Sequence, residues 1–239
     1  VSNGLFKIAK KITKIKDNLL YLPNGVDVEL FNPKKYKSLI IRKKLGLKKQ
    51  DFIIFLIGHI GKSKYGFVGK QIVDAALMLA KKYPDVKFVM AGYGKGLNTL
   101  KAYVHEKKLD NYFLFLGYVY EKDSPKYLSM ADICIDSLAP ANVPNMRHRS
   151  SMKLKEYMAM GKAAISSKVG EHIVDLDGGK CGLLIGADTA ELINAIEKLL
   201  NNAELRKQFG KKSRIRAVKK YSLKLQRHIF VKFIKRYVN

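Results

Sequence analysis

Asp51-Phe52-Ile53-Ile54-Phe55-Leu56-Ile57-Gly58 is the stretch whose reading decides the fold. Its run of apolar residues, rich in β-branched and aromatic side chains, predicts a strand covered on both faces. Beyond Gly58 the spacing turns helical over about 68–82, with Ile72, Ala75, Ala76 and Leu79 on one stripe. A second apolar run, Val86–Ala91, then ends at Gly92. Further β-rich runs occupy Tyr112–Leu116, Ile133–Leu138, Ala163–Ser167 and Gly182–Ile185, separated by helical spacing at 97–108, 122–130, 151–160 and 189–200. Such alternation predicts an α/β fold: an open parallel sheet with helices on both faces, Rossmann-like. Gly58, Gly92, Gly117 and Gly161 punctuate the ends of elements, where reversals favour a residue without Cβ. Ligands of such sheets bind outside the carboxyl ends of the strands. The loops 58–66, 92–96, 117–121, 139–150 and 168–172 therefore hold the candidate site.

With 239 residues, 47% of them hydrophobic, the chain can form one sizeable domain without a disulfide or metal staple. Cys134 and Cys181 sit in apolar runs without partner spacing, which predicts a reduced, cytoplasmic setting. No charged start with an apolar core is visible at the N-terminus, and no run approaches the roughly 18–20 residues of a membrane span. A first residue of Val1 rather than Met predicts a processed or truncated product. The net charge of +26 is uneven: +10 over residues 1–50, +4 over 51–201 and +12 over 202–239. Basic ends of this kind suit anionic partners such as phospholipid, nucleic acid or a phosphorylated substrate.

Glycine loops are weak signals here. Gly92-Tyr93-Gly94-Lys95-Gly96 follows a strand but lacks the last glycine of a dinucleotide fingerprint. Gly58-His59-Ile60-Gly61-Lys62-Ser63 has two residues between its glycines where a P-loop has four. His105, His172 and His228 show no ligand spacing with any Cys, Asp or Glu cluster, so no metal site is expected.

The linker carries more. Tyr21-Leu22-Pro23-Asn24-Gly25-Val26-Asp27-Val28-Glu29-Leu30-Phe31-Asn32-Pro33 resembles the interdomain hinge of family 4 glycosyltransferases, which have the two-domain GT-B architecture. The resemblance runs on through Phe88–Gly94, Phe115–Val119, Met130–Ile133, Lys153-Leu154-Lys155-Glu156-Tyr157-Met158-Ala159-Met160-Gly161-Lys162 and Gly182–Leu184, in the family's order. It implies the C-terminal, donor-binding half of a retaining glycosyltransferase, a hexosyltransferase moving sugar from a nucleotide-diphosphate sugar without a required metal. The acceptor would be a polysaccharide or a lipid-linked glycan. Residues 1–33 would then be the remnant of a preceding acceptor domain plus the hinge, and 34–220 the nucleotide-sugar-binding domain. Residues 221–239 would be a basic amphipathic helix packing back on the missing domain, without which the fragment transfers nothing.

A pyrophosphate leaving group needs positive charge and N–H donors aimed at it. The helix beginning near Ser151 turns its positive end to the crevice. In the family an Arg follows the first-strand glycine and a Lys lies five residues later; here His59 and Lys64 hold those places, with Lys62 nearby. Glu156 matches an acidic residue that accepts from the ribose hydroxyls, with Lys153 as its neighbour at i−3. The acidic partner seven positions earlier is replaced by His148, between Arg147 and Arg149. The resemblance thus assigns Lys64 and His148 to catalysis. To donor binding it assigns Gly58, His59, Lys62, Gly92, Gly94, Tyr118, Val119, Ser151, Lys153, Glu156 and Glu171, with Gly117, Tyr118 and Val119 beside the base. The competing readings are a non-catalytic nucleotide-sugar-binding module of the same fold and a basic nucleic-acid-binding protein. The latter has no recognition motif in this sequence, and no nucleic-acid partner is expected. The basic ends favour peripheral contact with an anionic membrane face.

Overall fold

The computed structural model describes residues 2–13, 18–63, 66–67, 69–136, 148–186 and 188–236. Its strands are β1 (Phe52–His59), β2 (Lys62–Ser63), β3 (Gly66–Phe67), β4 (Val86–Tyr93), β5 (Phe113–Gly117), β6 (Ile133–Ile135), β7 (Ala163–Ser167) and β8 (Leu183–Ile185). Six of them form one parallel sheet in the order β5-β4-β1-β6-β7-β8, while β2 and β3 make a small antiparallel hairpin. The helices are α1 (Asn3–Ile12), α2 (Ser38–Lys44), α3 (Lys70–Lys82), α4 (Leu97–Glu106) and α5 (Ser124–Met130). They continue with α6 (Met152–Ala159), α7 (Gly170–Asp175), α8 (Thr189–Leu200), α9 (Ala203–Arg216) and α10 (Leu223–Ile234).

The apolar run Phe52–Ile57 lies in the central strand β1, hydrogen-bonded to β4 on one side and β6 on the other. Its side chains alternate between two cores, as strand geometry requires. Ile54 joins Phe88, Met90, Ile133 and Ile165 under α3, α4 and α8. Ile53 and Phe55 join Val89, Ala91, Cys134 and Ala164 under α6, together with Phe31 and Val26 of the linker. The linker is thus folded onto the domain: Phe31 is fully buried, and Asp27 Oδ1 accepts from the N–H groups of Glu29 and Leu30. Arg214 of α9 donates to the carbonyls of Phe31, Ala159 and Val28, stitching linker, α6 and α9 together. Val26 pairs with Ser222, so two crossing segments lie side by side at one edge.

Several elements differ from the sequence reading, α2 and the β2–β3 hairpin in the expected loop 58–66 among them. In the run at 133–138 the strand ends at Ile135; Asp136 turns its carboxylate to buried hydroxyls, and residues 137–138 lie outside the described residues. Helix α7 occupies part of the expected loop at 168–172; it was not legible as a helix because its buried residues are the polar Glu171, His172 and Asp175 rather than an apolar stripe. Helix α9 was not legible either. It packs through Phe209, Gly210 and Ser213 rather than through a stripe of large apolar residues. A Cβ on Gly210 would stand 2.2 Å from the carbonyl oxygen of Gly161, so only glycine permits that approach.

Candidate functional site

Counted along the chain, the six strands run 3-2-1-4-5-6 across the sheet, so the connections leave β1 in opposite directions. The crevice of such a sheet opens at this switch, outside the ends of β1 and β6. At Gly58, near the end of β1, a Cβ would meet nothing within 4 Å. Its partner across the ladder is Gly92, where a Cβ would stand 2.0 Å from the Gly58 carbonyl oxygen. At Gly94 the distance to the Ile60 carbonyl oxygen would be 2.4 Å. The floor is therefore backbone against backbone, closed by the Ile60 N–H on the Tyr93 carbonyl (2.8 Å) and the Gly96 N–H on that of Ile60 (2.9 Å). Gly92→Ala is expected to cost about 3 kcal/mol, the upper end of overpacking penalties, because a carbonyl in the ladder cannot rotate away. A urea-unfolding loss below about 1 kcal/mol would show that the two strand ends are not held together in this way.

Along the rim runs a row of rings. His59 meets Tyr93 edge to face at 5.6 Å, Tyr93 meets Tyr118 at 5.1 Å, and Tyr118 meets Tyr120 at 4.9 Å. The three tyrosines are more than half exposed, an arrangement that offers flat apolar surface to a planar ligand. Val119 packs partly into the core below them.

On the other side of the switch, α6 begins at Ser151, whose Oγ accepts from the Leu154 N–H (3.2 Å) and donates to Asp136 Oδ1 (2.8 Å). Ser151 is thereby occupied as a cap, and the first-turn N–H groups of Met152 and Lys153 are the donors such a terminus offers to an anion. Asp136 Oδ2 accepts from Ser166 Oγ (3.2 Å), and Ser166 shares a hydrogen bond with His172 Nδ1 (2.9 Å). This buried set pins the start of α6 to the ends of β6 and β7. Sequence reading missed it; an acidic residue ending an apolar run at the switch was its one signal.

Glu156 lies one and a half turns into α6, only 3% exposed, and pairs with Lys153 Nζ at 2.9 Å. Burial pushes its carboxyl above the ordinary range, Lys153 pulls it back, and the charges of Glu121 and Asp136 add to the rise. Both carboxylate oxygens accept from Lys153 Nζ, at 2.9 and 3.2 Å, and each keeps further lone-pair capacity of the kind that can accept from a vicinal diol. His148, half-buried, keeps Nδ1 out of water with no hydrogen-bond partner among the described residues.

Glu171 is placed elsewhere than expected. Its carboxylate is buried, accepting from the Asn3 N–H at 2.7 Å and from the Tyr21 hydroxyl. These contacts tie α1 and the linker to the first turn of α7. Lys64 lies outside the described residues, and Lys62 is placed as β2 backbone only. Gly58, His59, Tyr118, the start of α6 and Glu156 are thus arranged about the carboxyl ends of β1, β5 and β6. Among the described residues no three His, Cys, Asp or Glu side chains group as metal ligands, and no helix is long and apolar enough to cross a membrane.

Residues 38–216 match the family described as glycosyl transferases group 1. The UDP-Gal:alpha-D-GlcNAc-diphosphoundecaprenol alpha-1,3-galactosyltransferase of Escherichia coli is 27% identical over 77% of this chain and 46% of its own length. The alpha-monoglucosyldiacylglycerol synthase of Acholeplasma laidlawii is 26% identical over 55% of this chain and 33% of its own. Among solved structures, Anabaena HepE in complex with UDP and glucose superposes with a TM-score of 0.77 at 18% identity, covering 98% of this chain and 61% of that one. The chain spans about half or less of the length of the curated relatives it matches.

Proposed function

The chain belongs to the group 1 glycosyl transferases, and on that premise we propose that it is the donor-binding half of a retaining glycosyltransferase, taking a nucleotide-diphosphate sugar. The observation that carries this reading is the buried Glu156, in a helix whose positive end opens at the strand switch, across from the Tyr93–Tyr118 rim. In the proposal, Glu156 accepts from the ribose hydroxyls, Tyr118 and the Gly117–Val119 backbone flank the base, and the first turn of α6 meets the diphosphate. Gly58 leaves the room, and His59, Lys62 and Lys64 border the phosphates. With protein cations and helix N–H groups neutralising the leaving group, no metal is called for. His148 and Lys64 are the proposed catalytic groups at the reacting sugar. HepE was solved with UDP and glucose, which supports UDP as the first nucleotide to try.

The preceding acceptor half would supply the acceptor, a polysaccharide or lipid-linked glycan; the E. coli relative is named for a diphosphoundecaprenol substrate. Lys7, Lys10 and Lys11 on α1, beside the exposed Leu5, Ile8 and Ile12, and the basic α10 favour contact with an anionic membrane face. Calorimetric titration with UDP, GDP, TDP and ADP is expected to show binding of at least one. Failure of all four would end the proposal. For the full-length protein, NMR of the product anomer is expected to show retained configuration.

A further inference from the structure

We infer that Lys155 is a positioning residue, whose buried ammonium ties the linker and α7 to the start of α6 and so holds the diphosphate donors of that helix in place. This rests on the reading of α6 given under Proposed function. Lys155 Nζ and Asp175 Oδ2 lie 2.8 Å apart, and both side chains are completely buried. A buried ion pair is poor currency for stability, since an apolar pair of similar volume generally does as well or better. What Lys155 adds is direction. Its ammonium has three donors: one meets Asp175 on α7, one meets Ser150 Oγ at 3.2 Å, and the group sits 5.0 Å from the Tyr221 ring centre.

Each contact leads to a different part of the crossing. Ser150 directly precedes the cap Ser151, and its Oγ also receives Asn24 Nδ2 of the linker at 3.4 Å. The Tyr221 carbonyl accepts from the Val26 N–H at 2.7 Å, where linker and C-terminal segment run together. On α7, Glu171 takes the Tyr21 hydroxyl, while its N–H donates to the Arg149 carbonyl at 3.2 Å. Residues 149–151, 171–175, 21–26 and 221–222 therefore form one polar-linked body with Lys155 at its centre. An apolar residue would fill the same space but could not aim at Ser150.

The test is the double variant Lys155→Met/Asp175→Leu, which leaves no unpaired buried charge and so keeps the fold. Three readouts are taken on it and on the unmodified chain: thermal midpoint, affinities for UDP and for uridine, and amide hydrogen exchange without ligand. The expected result is an equal or higher midpoint, about tenfold weaker UDP binding with unchanged uridine binding, and about tenfold faster exchange confined to residues 150–154 and the linker. Undiminished UDP affinity, or equal losses for UDP and uridine, would overturn the inference. If the unmodified chain binds no nucleoside diphosphate, it is the donor-site reading that fails. Exchange then still decides the positioning role: unchanged protection at 150–154 overturns it.

Discussion

Glu156→Gln is expected to weaken binding of the preferred nucleoside diphosphate by roughly tenfold to a hundredfold. Hydrogen bonds to a charged acceptor contribute about 1.5–3 kcal/mol, and each 1.4 kcal/mol is a factor of ten. The amide keeps the shape and one acceptor oxygen, so the fold should survive and the loss should fall on binding. Acidity supplies a second readout. Burial raises the Glu156 carboxyl above its ordinary range in the folded chain, with Lys153 opposing. Proton uptake therefore begins at a higher pH than in a free glutamate. As pH falls through that window, the unmodified chain should lose its advantage and converge on the glutamine variant, so the ratio of the two affinities, in which titration of the ligand and of the neighbouring histidines cancels, should fall toward one. The stability contribution runs the other way. The native state binds this proton more tightly than the unfolded state, so the penalty for the buried charge is complete at high pH and vanishes as pH falls. Calorimetry carried from neutral pH down into the ordinary carboxyl range reads both trends. Equal affinities of the two proteins at neutral pH would remove Glu156 from the site.

Lys155→Met alone, without its companion change, is expected to cost about 3–5 kcal/mol, because it strands a carboxylate in a dry interior. For a domain of this size that is a fall in midpoint of roughly 6–20 °C. Burial already lifts Asp175 above the ordinary carboxylate range, and Lys155 is the chief influence pulling it down. Without the lysine, Asp175 should take up its proton at higher pH still. A carboxyl with a raised folded pKa destabilises fully above that pKa, less and less as pH falls below it, and not at all below its ordinary range. The deficit of the single variant should therefore shrink in mild acid and grow toward neutrality. Adding Asp175→Leu should restore the midpoint. A single variant within about 1 kcal/mol of the unmodified chain would mean that the pair is not the closed, desolvated contact described.

Much of this molecule was legible along the chain. The run Phe52–Ile57 is apolar at every position because β1 is covered on both faces, and that alone required a central strand between helical layers. The linker from Tyr21 to Pro33 announced itself by its residues, and Phe31 proved to be core. Glu156 stood out by its place in the Lys153–Lys162 segment. Lys155, one position away, carried no sign of its burial, since its partner is twenty residues distant on a helix with no amphipathic signal. Glu171 looked like a ligand of the crevice until Tyr21 and Asn3 were seen to occupy it.

Local pattern settled the six strands of the main sheet and which of their faces are apolar, because periodicity and glycine placement are properties of neighbouring residues. The assignment of each buried charge was left to the folded chain. A carboxylate or ammonium takes its role from whichever group meets it in a dry interior, and here those groups, Asp175, Tyr21 and Ser150 among them, arrive from other elements. Chain proximity carries no record of that meeting.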